Sequence, residues 1–239
     1  MIRRQPREPA AGEFTCILFD MDGTLVDSAE GVIGSAVAAL AAVGVEPPGR
    51  EELMSYVGPP MIESFRSLPG MDEERARLAP KHYRRHYAER GSGKARLFDG
   101  IQALLRAIQD GLPMAVATSK IEDQALRVAS LLGIDKHFLD ICGASDALDR
   151  SRKKDVIAES LRRLQSQGVD VARPVMVGDR IYDVEGAACF GIPTVFALWG
   201  YGTHEELAGA AAVAAHPKDV ASIVLGRSLV THEACASLQ

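Results

Sequence analysis

The sequence predicts an α/β fold, a parallel sheet with helices on both faces, interrupted near its start by an inserted all-helical subdomain. Three observations point there. Short, continuous apolar runs recur at wide intervals, at residues 16–19, 114–117, 174–177 and 194–198, the pattern of strands buried on both faces. Amphipathic stretches fill the later intervals, at residues 101–108, 124–132, 155–164 and 182–189. Strand and helix therefore alternate, and the strands are expected to run parallel through right-handed crossovers. The first interval differs: residues 28–97 hold no convincing strand and are too long for a strand-to-helix loop.

Each element has a local reason. The insertion carries successive helical patterns at residues 29–43, 51–57, 61–68 and 72–90, with hinges expected near 26–28 and 96–100. Gly111, Gly133, Gly168 and Gly191 stop the later helices, because glycine enters the left-handed C-terminal conformation without steric cost. Weaker strands at 139–142 and 211–213 extend the sheet. The expected division is a core of residues 14–27 and 98–226, a helical insertion of 28–97, and loose tails at 1–13 and 228–239.

Composition narrows the class. A chain of 239 residues with 47% hydrophobic content can bury a full core, which excludes intrinsic disorder. No apolar stretch approaches the roughly 20 residues that cross a bilayer, and residues 1–13 lack the apolar centre of a secretory signal. The four cysteines, Cys16, Cys142, Cys189 and Cys235, form no C-x-x-C pair and read as unpaired thiols of a reducing compartment. A net charge of -5 argues against a protein that coats nucleic acid or an anionic membrane. The expectation is a cytoplasmic protein, monomer or homodimer, with neither nucleic-acid nor membrane partners.

In an open parallel sheet, ligands bind beyond the carboxyl ends of the strands. The first strand runs into Asp20-Met21-Asp22-Gly23-Thr24, the next into Thr118-Ser119, and the one at 174–177 into Gly178-Asp179 with Asp183 four residues on; Arg152-Lys153-Lys154 opens a helix between them. Carboxylates at i and i+2 of an extended segment share a side, so Asp20 and Asp22 are expected to face one pocket. With Asp179 beside them, like charges crowd together, an arrangement favourable only if a cation fills the gap. Oxygen ligands without His or Cys select a hard ion, of which Mg²⁺ is the usual one.

These motifs, in this order, resemble the four motifs of the haloacid dehalogenase-like hydrolase superfamily over residues 14–225. That likeness implies a Rossmann-like three-layer core and makes the helical insertion similar to the family's cap domain. Val57-Gly58-Pro59-Pro60 and Leu198-Trp199-Gly200-Tyr201-Gly202 resemble its phosphoglycolate phosphatase-like branch, which also holds 5′-nucleotidases. The resemblance implies a Mg²⁺-dependent phosphatase acting on a small-molecule phosphate ester through an aspartyl-phosphate. Asp20 would be the nucleophile and Asp22 the general acid and base, its backbone carbonyl also on the metal. Thr118, the Ser119 amide and Lys153 would hold the phosphoryl oxygens; Asp179 would bind Mg²⁺ with Asp20, and Asp183 would support it from behind or orient Lys153.

Several readings stay open at this level. Lys154 competes with Lys153, because the Lys-Pro pair frequent in the family is missing here. Asp183 has a purely structural reading, Thr118 could cap the helix starting near Ile121, and Arg66, which could reach a substrate carboxylate or second phosphate, is read first as a surface ion pair. Residues 81–87, basic with interleaved tyrosines, read as a helix with one wet face and Tyr83 packed on Tyr87 at i and i+4. The rival functions are a 5′-nucleotidase, a sugar-phosphate mutase of the β-phosphoglucomutase type, and a non-catalytic binding protein on the same scaffold.

Overall fold

The apolar run at the start of the chain forms β1 (Cys16–Phe19), buried along its whole length between two parallel neighbours. It belongs to a computed structural model that describes residues 14–59, 61–148 and 150–226. The expected tails, Cys235 and Pro60 lie outside the described residues. After β1 the chain forms β2 (Val26–Asp27) and four helices, α1 (Ala29–Ala42), α2 (Arg50–Met54), α3 (Met61–Arg66) and α4 (Glu73–His86). It returns through β3 (Arg96–Leu97) to α5 (Ile101–Ile108), β4 (Met114–Ile121), α6 (Glu122–Leu131), β5 (Asp140–Ala144) and α7 (Lys153–Ser166). The last elements are β6 (Pro174–Gly178), α8 (Ile181–Ala188), β7 (Thr194–Ala197), β8 (Ala212–Ala214) and α9 (Pro217–Val224).

Six strands make one parallel sheet in the order β5-β4-β1-β6-β7-β8. Alternate residues serve opposite faces, as the pleat requires. Ile17 and Phe19 enter a core with α5, α6 and α9, while Cys16 and Leu18 meet Val156, Ile157 and Ala187 of α7 and α8. The expected three layers follow. The connections leave β1 in opposite directions, β4 on one side and β6 on the other, so a crevice opens at the carboxyl end of β1.

Several local expectations needed correction. Residues 96–97 do form a strand: β3 pairs antiparallel with β2, Val26 facing Leu97 and Asp27 facing Arg96, at the place expected to be only a hinge. Two residues are too short for a periodic signal, and the pair forms because the chain leaves and re-enters the sheet at one point. Gly133, Gly168 and Gly191 take positive φ as helix stops, but Gly111 does not. Its lack of a side chain serves packing, since a Cβ there would lie 3.1 Å from Leu225 Cδ2. The helix expected to reach residue 90 ends at His86 and continues as a wider π turn over Tyr87–Gly91. Helix α9, opened by Pro217 at its first position, was not expected at all.

Candidate active site

Sheet register alone brings the motif residues together. Phe19 is level with Val116 of β4 and with Val177 of β6, so Asp20, Thr118 and Asp179 stand close together toward the carboxyl ends of three neighbouring strands. On β4 the register slips: the step from Ala117 to Ile121 is matched on β5 only by that from Cys142 to Ala144. Such irregularities re-aim side chains next to functional sites. Thr118 is fully buried and its Oγ1 accepts from the Lys120 amide at 3.2 Å. It does not cap α6, whose first residue is preceded by Ile121 with no side-chain cap.

Three carboxylates converge, with oxygens of Asp20, Asp179 and Asp183 within 4.8 Å of one another. The third member is Asp183, not Asp22, whose carboxylate turns toward Lys120. Lys153, at the first position of α7, places its ammonium 2.5 Å from Asp20 Oδ1 and 2.7 Å from Asp183 Oδ1, and donates to the Ala117 carbonyl at 3.0 Å. Two of its N–H groups donate to Asp20 and the Ala117 carbonyl, and the Asp183 carboxylate lies beside it as an ion pair. Lys154, the rival, is exposed on the next position of the helix. Asp183 uses its other oxygen to accept from the amides of Asp179 and Arg180 at 3.1 and 3.0 Å, which closes the start of α8 around the cluster.

Asp179 is completely buried. Its Oδ1 accepts from Thr24 Oγ1 at 2.9 Å and its Oδ2 from the Tyr201 amide at 2.8 Å. Glycines make that packing possible. Gly23, at φ 91°, would carry a Cβ 2.1 Å from Asp179 Oδ2, and a Cβ on Gly202 would lie 1.9 Å from the Asp179 carbonyl oxygen. Because that oxygen belongs to the backbone it cannot swing away. Gly202→Ala is therefore expected to cost about 2–3 kcal/mol of overpacking, seen by calorimetry as a Tm lowered by roughly 4–12 °C for a chain of this size. An unchanged Tm would contradict the close approach.

The electrostatics follow from burial and charge. Burial pushes the Asp20 carboxyl up to about 6; Lys153 opposes the rise and Asp183 adds to it. Asp179 is driven well above the usual carboxylate range by burial, then by Asp183 and Asp20. For Lys153, burial favours the neutral amine, but the Asp183 and Asp20 charges outweigh it and hold the ammonium. Fully ionised, the three carboxylates against one lysine would carry two negative charges in excess, which a divalent ion would balance, and an all-oxygen donor set suits a hard one such as Mg²⁺.

Asp22 meets a partner that sequence reasoning missed. Lys120 Nζ donates to Asp22 Oδ2 at 2.8 Å and to Oδ1 at 3.1 Å, both residues being buried. Its ammonium also stands 4.3 Å from the ring centre of Tyr87, which stacks on Tyr83 as expected. The signal was present, since Lys120 is two residues after Thr118 on one strand. Between the strand ends and the helical insertion lies a cavity of about 70 Å³, lined by Asp22, Ser119 and Lys120 from the sheet side and by Val32, Tyr56, Met61, Ile62 and Tyr83 from the insertion. Arg180, also missed, ties the two sides: Nη1 donates to the Val57 carbonyl at 2.5 Å while Nε donates to Glu206 at 2.9 Å. Arg66 makes the expected surface pair, 2.8 Å from Glu73.

Known proteins share this arrangement of chain. A family model described as haloacid dehalogenase-like hydrolase matches residues 17–197. The chain is 44% identical over 187 residues to the tyrosine-protein kinase PtkA of Mycobacterium tuberculosis, covering 78% of this chain but 62% of that one. It is 37% identical over 199 residues to a 5′-nucleotidase of Pseudomonas aeruginosa, covering 83% of this chain and 89% of the relative. The crystal structure of a "predicted phosphatase" from Clostridium acetobutylicum superimposes with a TM-score of 0.80 at 34% identity, over 87% of this chain and 97% of the other.

Proposed function

Because this chain belongs to the haloacid dehalogenase-like hydrolase family, we propose that it is a Mg²⁺-dependent phosphatase that hydrolyses a small-molecule phosphate ester through an aspartyl-phosphate on Asp20. The observation that carries the reading is the buried cluster of Asp20, Asp179 and Asp183 with Lys153 at the carboxyl ends of β1 and β6. A bound Mg²⁺, held by Asp20, Asp179 and the Asp22 carbonyl, would supply positive charge to phosphoryl oxygens.

The remaining chemistry belongs to the chain. An Asp20 oxygen attacks phosphorus as the bond to the leaving oxygen breaks, and protonated Asp22 gives that oxygen its proton. Thr118, the Ser119 amide and Lys153 hold the phosphoryl oxygens in line. Asp22, now ionised, takes a proton from water. The water oxygen then bonds to phosphorus, the Asp20–phosphorus bond breaks, and inorganic phosphate leaves. Lys120 bonds both Asp22 oxygens, so a leaving group that takes its proton from Asp22 has to displace the ammonium. Asp183 positions Lys153, and residues 28–97 act as a cap whose closure excludes water.

The cavity of about 70 Å³ at Asp22 matches a compact leaving group of the phosphoglycolate type, while a cleft of about 390 Å³ lined by Ser119 and Lys153 falls in the roughly 300–1,000 Å³ range that would take a nucleoside. A second reading comes from the kinase relative: the same Asp20 chemistry with a nucleoside triphosphate as donor and a tyrosine hydroxyl in place of water. That relative is matched over 62% of its length, the nucleotidase over 89%. The deciding experiment is a panel of phosphoglycolate, a nucleoside 5′-monophosphate and glucose 1-phosphate, with a parallel arm of γ-labelled ATP and a tyrosine peptide, each with Mg²⁺ and with a chelator. Inorganic phosphate is expected only with Mg²⁺, and readdition of the ion should restore it. Isomerised sugar would mean a mutase, label passing from ATP to tyrosine a kinase, and inert esters throughout a binding protein.

A further inference from the structure

Tyr201 spans two parts of the molecule that the proposed chemistry treats separately. At one end its backbone N–H donates to Asp179 Oδ2 at 2.8 Å. At the other its phenol oxygen accepts from the amides of Ser28 and Ala29 at 2.9 and 3.1 Å and donates to Asp27 Oδ1 at 2.8 Å. Ser28 and Ala29 are the point where the chain leaves β2 for α1. The other Asp27 oxygen accepts from Arg96 Nη2 and Nε at 2.8 and 3.0 Å, on the returning strand β3. One residue therefore touches the carboxylate cluster and, directly or through Asp27, both strands of the neck joining sheet to insertion.

The link is stiff. A phenol oxygen has one proton and two lone pairs, and here all three are engaged. The side chain between the ends is a flat ring set by two torsions, edged by Phe98 at 6.1 Å between centres. Its loop lies directly on Asp179, because a Cβ on Gly200 would stand 2.3 Å from Asp179 Cβ. A shift of the Asp179 carboxylate has no loose side chain to absorb it before it reaches the neck.

Resting on the Mg²⁺-dependent reading above, we propose that Tyr201 is a positioning residue that couples occupation of the carboxylate cluster by a divalent cation to the setting of the β2–β3 neck, and so to closure of the helical insertion. Cation binding and closure then favour one another, as linkage requires. Residues far from the reacting atoms, Asp27 and Arg96, become part of the same switch.

The test needs no substrate. Amide exchange is followed by NMR in the wild type and in Tyr201→Phe, with Mg²⁺ alone and without it, while calorimetry measures Mg²⁺ binding. In the wild type Mg²⁺ is expected to slow exchange at Ser28 and Ala29 about tenfold, the low end of ordinary coupling between sites. In Tyr201→Phe both amides should exchange faster and lose that response, while Mg²⁺ affinity weakens by no more than the lost coupling of about tenfold, because the backbone bond to Asp179 survives. A purely structural tyrosine would speed exchange in the variant yet leave the Mg²⁺ response intact, which would overturn the coupling. If Mg²⁺ fails to bind either protein, the cation reading falls and the coupling with it. Should Tyr201→Phe not fold, Asp27→Ala, at a partly exposed position, breaks the link from the neck side with the same expected loss of response.

Discussion

Asp20→Asn should abolish turnover, lowering kcat by roughly 10⁴-fold or more, as loss of a covalent nucleophile does elsewhere. The substitution keeps the side chain's volume and removes the charge that attacks phosphorus. Its fold should survive. Lys153 retains the Asp183 charge beside it and the Ala117 carbonyl as an acceptor. In the cation-free protein the raised Asp20 pKa means that ionising this carboxyl costs stability as pH rises from 3.8 through about 6. Asn never ionises, so relative to wild type the variant should gain Tm across that window and hold the gain above it. Calorimetry over pH checks the second claim and phosphate release the first. An active Asn variant would rule out the covalent route, while an unfolded one would mean that the Lys153–Asp20 pair is worth more than the burial it opposes.

Lys153→Met carries the second large effect, on stability as well as rate. The lysine is the cation shared by Asp20 and Asp183, and its removal leaves buried carboxylates facing each other. Stripping one partner from a buried ion pair costs about 3–5 kcal/mol, a Tm loss of roughly 6–20 °C for a chain of this length. Loss of charge against the phosphoryl oxygens should lower kcat by about 10²–10³-fold. Lys154→Met, on the exposed neighbour, is expected to match wild type in both measurements. Adding Asp183→Asn to Lys153→Met should recover part of the Tm, by removing one of the stranded charges, but none of the rate. A Lys154→Met enzyme that lost activity while Lys153→Met kept it would reverse the assignment.

How far each residue was readable depends on how local its cause is. The strands at residues 16–19 and 174–177 were legible because burial between parallel neighbours on both sides demands an unbroken apolar run, and that is written in consecutive residues. Asp20 and Asp179 were legible because each follows such a run directly, so the strand itself aims it. Lys120 was readable in principle, at i+2 from Thr118, but the register slip on β4 decides where it points. The β2–β3 pair was not readable, being two residues long on each side.

The chain order alone determined the α/β alternation, the helical insertion between β2 and β3, and the row of polar residues at the strand ends, because these arise from the periodicity and punctuation of neighbouring residues. Tertiary structure put the expected Lys153, rather than Lys154, on the cluster, and it alone chose Asp183 over Asp22 as the third carboxylate, Lys120 as the partner of Asp22, and Tyr201 as the bridge to the neck. Each of those choices rests on a contact between residues far apart in sequence, Asp22 with Lys120 across 98 positions among them. Such contacts are set by helix orientation and by glycines that let backbones meet, and no local pattern encodes either.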